Sequence, residues 1–144
     1  MSATGPSTSP RHARRGNASI EFALVAPVVV TLLGGVVEWG QFTTQELAVI
    51  HAVREGARLG AAEGGALIEE GSNAELAALV ESRVQSVLVD MGQDGDAANV
   101  NTAVDLFEGH NLITVSCSLD YAPVFSLVPS PGSLSSELTM LVEE

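Results

Sequence analysis

The chain has 144 residues, enough for one ordinary domain or for a smaller domain plus an anchor. It is 46% hydrophobic but only 4% aromatic, and its net charge of −12 excludes nucleic-acid binding, since a phosphate backbone demands a basic face. The charge is also divided: Arg11, Arg14 and Arg15 precede the first acid, whereas only Arg54, Arg58 and Arg83 accompany the acids that follow.

Residues 1–13 are rich in Ser, Thr, Pro and Gly, lack a hydrophobic pattern and read as a disordered leader. Phe22 to Val37 then contain no charge, and apolar residues continue on both sides at Ala18, Ile20, Trp39 and Phe42. This predicts a membrane-spanning helix over about 20–40. Trp39 would lie at the interface. Pro27 removes one intrahelical hydrogen bond, which membrane helices tolerate when the freed carbonyl finds another partner. Cationic flanks stay on the cytoplasmic side, so the expected topology is N-terminus in and acidic bulk out. A secretory signal peptide is the competing reading, but an acid (Glu21) at the head of the apolar run argues against it.

The helical pattern persists beyond the membrane. Phe42, Val49, Val53, Gly56 and Gly60 recur on one stripe, with Leu47, Ile50, Ala57 and Ala61 on an adjacent one. One long helix over 17–62 is expected, broken by "EGGALIEEG". Glu55 and Arg58 stand at i,i+3, where a surface ion pair forms; Arg54 is a further candidate for a helix contact. Ser72 and Glu75 have capping-box spacing for a second helix, whose apolar face would be Leu76, Val80, Val84, Val87 and Met91, with Gly92 as C-cap. "DMGQDGD" lacks the closing Glu of a calcium loop and reads as an acidic turn.

Strands follow. Val100, Val104 and Leu106 mark the first, and "EGHN" a turn. Ile113, Val115, Cys117, Leu119 and Tyr121 alternate with polar residues in the clearest strand of the chain; Leu134, Leu138, Met140 and Val142 mark the last. Cys117 falls on the apolar side, where a lone thiol acts as a small hydrophobe. The expected fold is therefore α+β: a leader at 1–16, the long helix at 17–62, and an extracytoplasmic domain at 63–144 with one short helix and an antiparallel sheet of about three strands. The sheet's apolar face would cover the outer half of the long helix.

Enzyme and cofactor signals are absent. His12, His51 and His110 are scattered without metal-ligand spacing, and no nucleophile motif occurs. No metal, cofactor or small-molecule substrate is expected.

Gly16, then five residues ending in Glu21, then Phe22 and the apolar helix, resembles a type IV prepilin peptidase site. More closely still, "RGNASIEFALVAPVVVTLLGGVVEWG" (15–40) and "AVREGARLGA" (52–61) resemble the TadE-like family of tight-adherence pilus proteins. The resemblance implies a pilin-like minor pilin or pseudopilin of the bacterial inner membrane, acting in assembly of Flp-type pili for adhesion or biofilm. It implies cleavage by the prepilin peptidase between Gly16 and Asn17, with Glu21 and Phe22 as the fifth and sixth mature residues. Partners would be that peptidase, other pilin subunits and the inner-membrane assembly machinery. Glu38 matches a second acid of the motif, and a solvated interfacial charge is the plain alternative. The alternative function is a membrane-anchored extracytoplasmic scaffold that never enters a filament.

Overall fold

The computed structural model describes residues 11–126, 129 and 131–143. The first ten residues of the expected leader lie outside them. The elements run α1 (Arg11–Glu69), α2 (Asn73–Asp90), β1 (Asn99–Phe107), β2 (His110–Asp120) and β3 (Ser133–Leu141), which is the α+β, pilin-like order expected.

At ~1.5 Å per residue, the 59 residues of α1 extend about 88 Å. The helix begins at Arg11 rather than at 17, so residues 11–13 of the expected disordered leader are helical, and it runs past the expected end at 62 to Glu69, so the glycines at 64 and 65 do not break it. Gly64 is instead a packing position: a Cβ there would stand 3.1 Å from Val142 and 3.5 Å from Leu76. The terminating residue is Gly71, at φ +72°, with its N–H donating to the Ile68 carbonyl and that of Ser72 to Leu67. Both bonds satisfy carbonyls that a helix end would otherwise orphan.

Gly92 closes α2 in the same way: at φ +76° its N–H donates to Val89, and Gln93 N–H to Leu88. Two details of α2 differ from expectation. Ser72 occupies the N-cap, but its side chain makes no capping hydrogen bond, because its ψ of 42° is not the extended value a capping hydroxyl needs. Leu88 rather than Met91 completes the buried face, since Met91 is already the C-cap residue turning away from the helix.

The sheet is a three-stranded antiparallel meander, β1-β2-β3. Glu108 and Gly109, both at positive φ, form the two-residue loop between β1 and β2. On β2, Ile113, Val115, Cys117 and Leu119 are buried, followed by Tyr121 just beyond the strand. Thr114 pairs through its hydroxyl with Thr139 on the opposite face at 2.8 Å.

These buried side chains pack on the C-terminal half of α1, where Ala48, Val49, Ala52, Val53, Ala57 and Ala61 face the core. Small residues let the layers approach closely. A Cβ on Gly56 would meet Val84 at 2.5 Å, and one on Gly60 would meet Val80 at 2.9 Å and press against Ile113. These contacts make α2 antiparallel to α1. They also set the direction of β2, from Ile113 beside Gly60 down to Tyr121 beside Phe42. The N-terminal half of α1 receives no such cover from the described residues.

Candidate functional site

Two acids bracket the uncovered part of α1. Glu21 and Phe22 stand at its N-terminal end, both exposed, and Glu38 stands at its C-terminal end. The interval from 21 to 38 is about 26 Å at ~1.5 Å per residue, close to the ~30 Å of a bilayer's hydrocarbon core. Between them every large apolar side chain faces outward, Phe22 at 74% and Val36 at 72% exposure. No part of the most apolar window is buried by the other described residues, so α1 has the length and composition of a single membrane span. The Thr31 hydroxyl is satisfied within this stretch by the Pro27 carbonyl at 2.8 Å. A polar side chain is thereby accommodated on a lipid-type surface. The backbone at Gly16 and Asn17 is helical and continuous with this span, while their side-chain surroundings lie outside the described part of the structure.

Glu38 is not a solvated charge. It is 1% exposed, a buried charged-type residue at the edge of the core. Its Oε2 accepts the Phe125 N–H at 3.2 Å, and its backbone carbonyl accepts the Tyr121 hydroxyl at 3.2 Å. Oε1 is buried without a hydrogen-bond partner among the described residues. Phe42 stands edge-on to both Trp39 and Tyr121, with ring centroids 5.6 and 5.3 Å apart. Helix and β2–β3 connection are thus clamped together one residue beyond the apolar run. Sequence reasoning placed Glu38 in a motif but did not pair it with Tyr121 and Phe125, which lie more than eighty residues away.

Higher on α1, Glu55 accepts from Arg58 at 3.1 Å, as the spacing predicted, and also from Arg83 of α2 at 3.3 Å. The hydrogen bond from Arg58, then that from Arg83, holds the Glu55 carboxyl below its ordinary value of 4.5. Arg54 is exposed and joins no ion pair among the described residues. The structure therefore groups Glu55 with Arg58 and Arg83, and leaves Arg54 and Glu38 apart from that group.

His51 on α1 and His110 at the hairpin are both exposed, and no cluster of metal-type ligands occurs among the described residues. The acidic turn after α2 closes on itself, Asp94 Oδ1 accepting the N–H groups of Asp96 and Ala97. Cys117 is buried, and desolvation pushes its thiol up from the ordinary value.

A family model described as TadE-like protein matches residues 16–58, beginning at Gly16 and covering the uncovered span, Glu38 and the Glu55–Arg58 pair. No curated protein and no solved structure matches the chain.

Proposed function

With residues 16–58 a TadE-like segment and the family pointing to a Tad pilus system, we propose that this chain is a minor pilin or pseudopilin of that system. Prepilin peptidase would cut between Gly16 and Asn17 and leave a single-pass inner-membrane protein with its α+β domain outside. The observation that carries the reading is the placement of Glu21: an acid five residues past Gly16, at the N-terminal edge of an apolar helix surface that no described residue covers. Gly16 also supports it physically, since a glycine weakens a helix by roughly 0.5–1 kcal/mol relative to alanine and eases local unwinding at the bond to be cut.

Cleavage would create an α-ammonium with a pKa of about 7.7–8.0. A charge at hydrocarbon depth is costly, so the new ammonium would be stabilised beside an acid. Placed across two subunits, it and the Glu21 carboxylate would neutralise each other, and the pairing would fix their register. Side chains such as Leu24, Val28 and Leu32 would supply packing without register. Adhesion or biofilm roles would belong to the assembled pilus, and no catalytic step is assigned to this chain.

Glu21→Ala tests the assembly role. The variant is expected to mature normally but to be lost from sheared surface filaments while remaining in the membrane fraction. Recovery of Glu21→Ala in filaments at wild-type level would overturn the pairing. Wild-type protein found only in membranes would favour the scaffold reading instead.

A further inference from the structure

Glu38 marks the outer boundary of the hydrocarbon, because it follows the last residue of the uncovered apolar run and lies about 26 Å along the helix from Glu21. Whatever is bonded to Glu38 must lie at that same depth. The bonded segment is the start of the β2–β3 connection, held by the Phe125 N–H on Oε2 and the Tyr121 hydroxyl on the Glu38 carbonyl. Its own apolar side chains point away from the core, with Val124 55% and Phe125 52% exposed. Trp39, the residue after Glu38 on α1, is also half exposed.

We propose that the Val124–Phe125 tip is a second membrane contact. It would insert its two side chains among the lipid headgroups and upper acyl carbons of the outer leaflet, next to Trp39. This proposal rests on α1 being a membrane anchor. The occupant is lipid because the tip is bonded to Glu38, the residue that directly follows the exposed apolar run ending at Val37. Its chemistry is apolar rather than electrostatic. The cations beyond residue 16 are Arg54, Arg58 and Arg83, and all belong to the part of α1 and α2 above the Glu38 clamp. Zwitterionic lipid therefore suffices, and anionic lipid is not required. The buried Glu38 acts as the strap. By accepting the Phe125 N–H it fixes the tip against the helix and sets how the whole domain is seated on the bilayer.

The experiment uses the full chain in phosphatidylcholine vesicles. Trp39 is the sole tryptophan, so Trp39→Phe supplies a silent background. In it, Phe125→Trp and Val124→Trp report the tip, Leu32→Trp reports the span, and Phe107→Trp reports the β1–β2 hairpin at the opposite end of the sheet. Quenching is read with lipid nitroxides placed near the headgroup or near the acyl-chain end. The tip reporters should be quenched more by the headgroup-proximal nitroxide, at about 10–15 Å from the bilayer centre given a core of ~30 Å. Leu32→Trp should respond more to the deep nitroxide, and Phe107→Trp to neither. Tip reporters unquenched beside a quenched Leu32→Trp would overturn the second contact and leave the anchor standing, as would a tip covered by another protein subunit. An unquenched Leu32→Trp would remove the anchor and this proposal with it.

Discussion

Gly60→Val should loosen the domain sharply, and the buried thiol of Cys117 reports it. Even the Cβ of an alanine at position 60 would lie 2.9 Å from Val80 Cγ2 and closer still to Ile113 Cδ1, where ordinary contact begins near 3.4 Å. Val80 and Ile113 are both fully buried, so neither methyl can swing into solvent. Overpacking of this kind costs about 1–3 kcal/mol. For Gly60→Ala, the gain of roughly 0.8–1 kcal/mol in helix propensity offsets part of that, leaving about 1 kcal/mol of net loss. Valine adds two further carbons and recovers less propensity, so about 3 kcal/mol is expected. Cys117 is 2% exposed and must be uncovered before a maleimide can reach it. With a slow reagent the labelling rate follows the open population, at tenfold per about 1.4 kcal/mol. The rate should rise roughly fivefold for Gly60→Ala and about a hundredfold for Gly60→Val. Gly40→Ala, where an added Cβ meets nothing within 4 Å, should label no faster than wild type. Wild-type labelling of Gly60→Val would show that α2 and β2 do not press on α1 at this glycine.

Tyr121→Phe removes the hydroxyl bonded to the Glu38 carbonyl and should cost about 1 kcal/mol, seen as roughly fivefold faster Cys117 labelling; an unchanged rate would disprove that bond. Glu55→Gln tests the ion pairs of Glu55 with Arg58 and Arg83 by thermal unfolding across pH. Because Glu55 is depressed in the fold, its contribution is present above the ordinary carboxylate value of 4.5 and is lost as pH falls through the lower folded value. The gap in Tm between wild type and variant should therefore close at acid pH, and also in high salt, since the carboxylate is solvent-facing. A gap independent of pH would point to packing rather than charge.

What the sequence disclosed depended on the range over which each signal acts. The alternation through Ile113–Tyr121 is local and correctly announced a strand with one buried face. The Glu55–Arg58 pair, one helical turn apart, was equally legible, but Arg83 lies 28 residues further on and follows from the docking of α2. The end of α1 was misplaced because two glycines look like a breaker when read alone. In the fold, Gly64 fits beneath Val142, and it is Gly71 that adopts the left-handed conformation ending α1. Met91 has the right helical spacing for the core but falls on the C-cap, where the chain leaves the helical path and Leu88 takes its place. Glu38 was the least legible. A carboxyl beside a tryptophan at the end of an apolar run reads as interfacial, and nothing local announces that Tyr121 and Phe125 return to bury it.

The most direct test of the account is the intact mass of the protein purified from cell membranes. Processing between Gly16 and Asn17 predicts a chain beginning at Asn17, and Gly16→Leu should retain the uncut precursor. A mature wild-type protein that begins at Met1, or at a residue beyond Val37, would contradict it.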